Sequence, residues 1–466
     1  MKRLLFLCVL LLTISCNRKS NVENEIGTFL NGQHDLFNFN GNVLIAEKGK
    51  IIYQKSFGYA DYDSKEILND SSVFNLASIN KQFTAMGILI LMENGALKVT
   101  DSLRHFFPEL PYNGITIHQL LTHTSGLPDY LRNLIPQRDF TKPLFNNDMI
   151  AFLVNEQPSV YFAPGEKFDY SNTGYVLLGS IIEKVSGKPF GDFLAEKIFK
   201  PFGMSHTHVY KMIGSSEKKI FNYAYGFEFS DSLKKYILPE SLPEYKWICN
   251  LDGTIGNKGV STTTGDLFKW DRALREKHLV SNEMTRKMDT PYVLMDTINK
   301  TYYGYGVMVG KDDLGTFIMH GGGAPGIRNQ FKNYTDQDWT IIVLSNNNSS
   351  SKDIVNSLSR IVYGLKLVMP YKHKKITADT PVLDNFTGTF KINGITNKFI
   401  REQTHLYRYS SGSARGAEYL PESETKIFSA DGYDIQFEIE KMSNGETRFY
   451  QILYGVKKEL KKADLY

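Results

Sequence analysis

Cysteine is scarce in this chain: there are three, Cys8, Cys16 and Cys249. Two fall in a leader-like N-terminus, so Cys249 is left without an intramolecular partner and a disulfide framework is excluded. No Cys/His cluster has zinc spacing and no His-Glu-x-x-His occurs, so neither a metal nor another cofactor is expected. Charge of one sign is not in excess either. Lys+Arg number 54 against 50 Asp+Glu, too even a balance for a nucleic-acid partner. The N-terminal apolar run, Leu4 to Leu12, falls far short of the roughly 20 residues a membrane-spanning helix needs.

That run fits a secretory leader instead: Lys2 and Arg3 precede it, and "TISC" ends it like a loose bacterial lipobox. The expectation is export to the periplasmic side of a bacterial membrane. Cys16 would become the lipid-bearing first residue and residues 17–24 a polar tether. Plain secretion is the alternative. The membrane enters only through that anchor, and protein partners are not legible.

The 466 residues suggest two or three domains. "GNVLIAEKGKIIYQKSFGYAD" reads as a hairpin around Glu47–Gly49. A buried helix runs from about Ser78 to Asn94, and a second from Thr173 to Ser186, stopped by Gly187. Residues 205–250 form a long, aromatic, poorly periodic segment, usually a functional or mobile one in a domain. "TFIMHGGG", "GIRNQFKN" and "WTIIVLSNN" read as consecutive strands, followed by a closing helix from Ser351 to Leu365. Strands at both ends with helices between predict an α+β domain over 25–370, its terminal strands joined in one antiparallel sheet. Beyond a linker at 371–384, alternating runs over 385–466 predict a small antiparallel β domain, a barrel or half-barrel.

Three short patterns carry chemistry. In "NLASINKQFT", Ser78 and Lys81 are three residues apart and share a helix face. A serine at the first turn has its own N–H unpaired and the helix dipole favouring an anion beside it. A lysine one turn inside loses solvation, which disfavours its charge and fits it to take the serine proton. Ser-x-x-Lys also occurs at Ser215, Ser216, Ser232, Ser349 and Ser423, all in polar surroundings; only Lys81 opens an apolar helix. In "FDYSNTGY", Tyr170 and Asn172 face one side of an extended chain. Tyr170 serves as a proton shuttle if a nearby cation lowers its pKa, while Asn172 holds Lys81 or a substrate carbonyl; a core tyrosine and a helix cap are the plainer alternatives. In "MHGGG", Gly321, Gly322 and Gly323 let a substrate backbone approach, the Gly323 N–H is a possible second oxyanion donor, and His320 offers a conditional positive charge.

In that order, Ser-x-x-Lys, Tyr-x-Asn and His-x-Gly resemble the serine β-lactamase and penicillin-binding protein superfamily, in its class C β-lactamase and D-alanyl-D-alanine carboxypeptidase-like branch. "LLTHTSGLPDY", "APGEKFDYSNTGY", "PFGM" and "GTIGNKGVSTTTGDLFKW" accompany them over about residues 30 to 365. Gly-x-Ser-x-Gly is absent, against an α/β-hydrolase. The resemblance implies a β-lactamase-like fold and a serine hydrolase working through an acyl-enzyme. Ser78 attacks, Lys81 and Tyr170 manage its proton, the N–H groups of Ser78 and Gly323 hold the oxyanion, and Asn172, His320, Gly321 and Gly322 bind substrate. His123 is implied to be structural. The substrate implied is a small molecule or short peptide, foremost one containing D-amino acids such as a peptidoglycan fragment. A carboxylesterase, a weak β-lactamase and a silent binding protein are the alternatives. His320 stands where class C enzymes carry lysine; Arg328 is the candidate for the missing carboxylate contact, against a plain surface arginine.

Overall fold

The computed structural model describes residues 21–462 apart from 136–141, 211–219, 249–250, 252, 277–278, 378–379, 393, 412 and 414. All three cysteines, including the expected lipidation site Cys16, lie outside the described residues. Two compact units result. One is Asn40–Val355; the other comprises the described parts of Met1–Phe39 and Asn356–Tyr466.

The larger unit is built on an eight-stranded antiparallel sheet. Its order is Val293–Asp296, Thr301–Tyr303, Met308–Asp312, Gly315–Ala324, Ile327–Tyr334, Trp339–Ser345, Gly41–Glu47, Lys50–Phe57. The first strand in the sequence thus pairs with the last, from Gly41↔Ser345 to Glu47↔Trp339, joining the chain ends of the unit as their patterning predicts. The three strands of 293–312 were not expected. They are three to five residues long, too short for an alternating pattern to be read from the sequence.

Two helices form the centre of this unit. Lys81–Glu93 is buried from Lys81 through Leu91; a helix apolar on every side can only be a core helix. Truncating one of its leucines, Leu89 for instance, is worth about 2–5 kcal/mol by cavity formation. Asn172–Ser186 packs across it. The contact is close because Gly87 has no side chain: a Cβ there would stand 2.8 Å from Ile182 Cδ1. Ser171 caps the second helix by accepting from the Gly174 N–H, and Gly187, at φ +68°, closes it.

In the smaller unit, eight strands from Gly388–Ile392 to Val456–Lys462 form a closed barrel, the first pairing with the last at Phe390↔Lys462. Closure removes the sheet edges, and eight strands enclose just enough space for side chains. Phe390, Phe399, Leu406, Tyr419, Ile427, Phe437 and Phe449 fill it. The segment before the barrel is tied along its wall: Tyr371 donates to Glu422 at 2.6 Å and the Ile376 N–H to the Pro421 carbonyl at 2.9 Å. A helix over 21–37 joins the same unit through Gln33, which donates to Asp434 at 2.6 Å.

Candidate active site

The strand Val73–Asn75 delivers the chain to Ser78 under restraint. The Leu76 N–H donates to the Val260 carbonyl at 3.0 Å and the Ala77 N–H to Asn75 Oδ1 at 2.8 Å. These contacts hold Ala77 at φ +48°, a left-handed conformation that a residue with a Cβ adopts at some cost. Ser78 follows in a 3-10 turn, Ala77–Asn80, and the α-helix begins at Lys81. Ser78 is half-buried while its neighbours Ala77 and Ile79 are buried, so the hydroxyl is the part of the turn that a substrate reaches.

Lys81 is fully buried, and burial lowers its pKa to about 7, opposed only in part by the charge of Asp129. Its Nζ has three partners: Ser78 Oγ at 3.2 Å, Asn172 Oδ1 at 3.1 Å and the Asn257 carbonyl at 3.2 Å. Two of these oxygens can only accept, whereas the serine hydroxyl can also donate. A neutral amine therefore gives its two N–H bonds to Asn172 and Asn257 and turns its lone pair to the Ser78 O–H. That is the arrangement of a general base.

Asn172 is the first residue of its helix rather than the cap, which is Ser171. Its N–H donates to Asp129 Oδ2 at 2.6 Å, while Asp129 Oδ1 accepts from Leu131 at 2.9 Å. Asp129 thus positions Asn172 against Lys81. Asn80 does the same for the opposite wall: its amide reaches the Gly256 carbonyl at 2.7 Å and accepts from the Val260 N–H at 3.0 Å. Gly256 sits at φ +92°, where a Cβ would come within 2.2 Å of the Tyr175 carbonyl, so glycine alone lets this segment bring Asn257 to Lys81. Asn80, Asp129 and Asn257 are not marked by any of the three motifs. Each acts through a partner distant in the chain, which local patterning does not reveal.

The Tyr170 hydroxyl is buried, makes no hydrogen bond, and has Ser78 as the polar group acting on it. Lys81 Nζ is 4.8 Å from the Tyr170 ring centre. The expected lowering of the phenol pKa by a cation is not found. Burial raises it instead, with the charge of Asp129 acting the same way. Tyr170 is consequently a protonated phenol, a donor and not a base. His123 lies under it, ring centres 4.2 Å apart, and accepts from the Ser171 N–H at 3.0 Å.

His320 is buried, with Nδ1 2.7 Å from the Gly321 carbonyl and Nε2 3.0 Å from the Tyr303 hydroxyl. The carbonyl fixes the proton on Nδ1, so Nε2 accepts from Tyr303. Burial and the nearby Lys81 lower its pKa to about 3, so the conditional charge expected there is absent near neutral pH. Gly322 faces the serine turn: a Cβ would stand 2.1 Å from the Leu76 carbonyl. Past Met319 the Gly315–Ala324 strand outruns its neighbour Met308–Asp312, leaving one edge open. On the other side a two-residue Pro325–Gly326 turn joins Ala324 to Ile327. With Ala324↔Ile327 as the hydrogen-bonded closing pair, Gly323↔Arg328 is non-bonded, and the Gly323 N–H points to the open edge. Gly321 shares that orientation two residues earlier.

Arg328 does not face this edge. It lies on the sheet face opposite His320 and Gly322 by strand alternation, and Nη1 donates to the carbonyls of Ala324 at 2.5 Å and Ile327 at 2.9 Å. The carboxylate contact proposed for it is therefore replaced by bracing of the hairpin tip.

Asp129→Asn removes the charge that raises the Lys81 pKa, so the acidic limb of the pH–kcat/KM profile should move to lower pH. Stability should fall by about 1–3 kcal/mol in urea titrations through the disturbed bonds to Leu131 and Asn172. An unmoved limb would show that Asp129 does not act on Lys81.

The family model described as Beta-lactamase matches residues 40–362. A penicillin-binding protein of Bacillus subtilis (strain 168) is 37% identical over 418 residues, covering 88% of this chain and 92% of that protein. Among solved structures, the octameric penicillin-binding protein homologue from Pyrococcus abyssi superposes with TM-score 0.67 at 23% identity, over 94% of this chain and 99% of that one. The D-amino acid amidase from Ochrobactrum anthropi SV3 gives TM-score 0.62 at 22% identity, over 74% and 98%. The expected α+β, β-lactamase-like fold with an added barrel is thus the fold found. The chain belongs to the beta-lactamase family, within the superfamily of serine β-lactamases and penicillin-binding proteins, and is a serine hydrolase.

Proposed function

We propose that the protein cleaves an amide or ester through an acyl-enzyme on Ser78, with a D-amino-acid-containing peptide or its amide as substrate. The observation that carries this reading is the Lys81 amine with its three partners, two of them obligate acceptors. Neutral Lys81 takes the Ser78 proton as Oγ attacks the carbonyl carbon. The N–H groups of Ser78 and Gly323 hold the resulting oxyanion. Protonated Tyr170 gives its proton to the leaving nitrogen or oxygen and is reprotonated by Lys81, which holds the serine proton; neutral Lys81 then takes a proton from water as it attacks the acyl carbon, and that proton returns to Ser78 Oγ as the acyl group leaves. Support for a D-amino-acid substrate comes from the likeness to the D-amino acid amidase of Ochrobactrum anthropi.

Neutral His320 and the turned-away Arg328 favour aminoacyl amides and esters over carboxypeptidase substrates, since neither offers a cation to a substrate carboxylate. Turnover of D-alanine p-nitroanilide, p-nitrophenyl acetate and N,N-diacetyl-Lys-D-Ala-D-Ala compares these classes directly. The first two should be hydrolysed and the third much more slowly; cleavage of the third alone would overturn the preference.

Tyr170→Phe keeps the ring on His123 and removes only the donor. The D-alanine anilide should lose about 10²–10⁴-fold in kcat, and the p-nitrophenyl ester far less, because its leaving group needs no proton. Equal losses would deny Tyr170 the acid role. Export with a lipid on Cys16 belongs to the same proposal and rests on the leader sequence; a Cys16→Ala chain should leave the membrane fraction.

A further inference from the structure

The open edge that carries Gly323 ends in a turn with an unusual support. Pro325 and Gly326, the latter at φ +70°, suit a type II turn, whose twist does not match a two-stranded hairpin and would splay its strands. Something outside the hairpin must hold it. The buried carboxylate of Glu228 accepts from the Gly326 N–H at 2.6 Å and, with its second oxygen, closely from Asn348 Nδ2. Among the described residues it has no ion-pair partner, and a buried carboxylate is costly unless its hydrogen bonds compensate. The chain around it is pressed onto the same turn: a Cβ on Gly326 would stand 2.5 Å from the Phe227 N, and one on Gly226 3.0 Å from the Gly326 carbonyl. The Phe227 N–H donates to the Asn346 carbonyl at 2.9 Å. Four residues upstream, Tyr223–Ala224 pairs in parallel with Val73–Phe74, the strand that leads to Ser78.

One segment, Tyr223 to Glu228, therefore touches both supports of the expected oxyanion hole: the strand before Ser78 and the turn after Gly323. We propose that Glu228 is a positioning residue, whose carboxylate clamps the Pro325–Gly326 turn and so fixes the Gly323 N–H as oxyanion donor. The inference rests on the acyl-enzyme reading above. It also assigns a task to part of the long 205–250 segment that sequence patterning left open.

The test compares Glu228→Ala, Glu228→Gln and Asn348→Ala in the full chain, with active sites titrated by burst and with phenylboronic acid as a probe that forms a tetrahedral adduct on the serine. Loss of an oxyanion donor lowers kcat by about 10²–10³-fold, so a loosened one should cost Glu228→Ala about 10–100-fold in kcat per titrated site. KM should stay nearly constant, and boronate affinity should fall by a similar factor. Glu228→Gln keeps an acceptor for the Gly326 N–H, and the unpaired Asn348 Oδ1 can take its new amide; it should stay within about threefold of wild type. Asn348→Ala removes one anchor and should show the same pattern more weakly, which keeps the test alive if Glu228→Ala misfolds. Wild-type kcat per site and boronate affinity in both alanine variants would overturn the proposal, as would Glu228→Gln behaving like Glu228→Ala. Failure of the underlying reading looks different: wild type itself would bind no boronate, and the proposal would fall with it.

Discussion

Ser78→Ala should lower turnover of the D-alanine anilide by on the order of 10⁴–10⁶-fold, the usual cost of removing a covalent nucleophile. The fold has little reason to change. Ser78 is half-buried, the backbone of its turn is held by the side chains of Asn75 and Asn329 and by the Val260 carbonyl, and its hydroxyl bonds to Lys81 and acts on the Tyr170 phenol. The melting temperature should accordingly stay within a few degrees of wild type. Loss of activity with loss of folding would leave the nucleophile unassigned; loss of activity in a folded protein assigns it. Retention of more than a few per cent of activity would remove Ser78 from the chemistry altogether.

Lys81→Met is the second large effect, because methionine fills the space of the lysine stem without the amine. Activity should fall by about 10³–10⁴-fold, near the upper range for a lost general base. In wild type, kcat/KM should rise about tenfold per pH unit up to about 7, where Lys81 loses its proton, and level off above. Neither buried histidine supplies that limb, since burial holds His123 and His320 well below the usual range. The residual activity of Lys81→Met should lack it. The same shift has a stability consequence. The Lys81 pKa is lower in the folded than in the unfolded chain, so between about 7 and 10.5 the unfolded state holds the extra proton. Stability therefore gains from this group as pH rises through that window, by up to about 1.4 kcal/mol per unit, and shows no change from it below 7. Urea titrations of wild type and Lys81→Met at pH 6.5 and 8.5 measure the difference. Equal pH dependence in the two proteins would mean that Lys81 titrates normally.

Periodicity found what periodicity controls. The helix Asn172–Ser186 and the alternating barrel runs repeat at 3.6 and 2 residues over enough length to be read, while the helix after Ser78 and the strand Trp339–Ser345 were legible as unbroken apolar runs. Ser78, Lys81 and Asn172 were legible because a lysine opening an apolar helix and a Tyr-Ser-Asn triplet before another are locally odd, and the structure brings the three together within hydrogen-bond reach. What stayed hidden depends on the third dimension. The charge state of His320 follows from Tyr303 and the Gly321 carbonyl around it, not from its motif. Arg328 was the candidate for a carboxylate contact, against a plain surface arginine, but strand alternation sends its side chain to the face opposite His320. Asp129, Asn257 and Glu228 act through partners 43, 176 and 98 residues away, and no local pattern announces such a contact. Gly322 was the exception: its motif marks a position where backbone meets backbone, and a Cβ there would meet the Leu76 carbonyl.

The most direct measurement is the intact mass of residues 17–466 after reaction with a fluorophosphonate, followed by peptide mapping, beside Ser78→Ala. An activated serine displaces fluoride and keeps the phosphonyl group on its oxygen. The account predicts one added phosphonyl group per chain, located on Ser78 and absent from the variant, with labelling that quickens as pH rises through about 7. A folded wild-type chain that takes no label, or a Ser78→Ala chain labelled as readily, would contradict it.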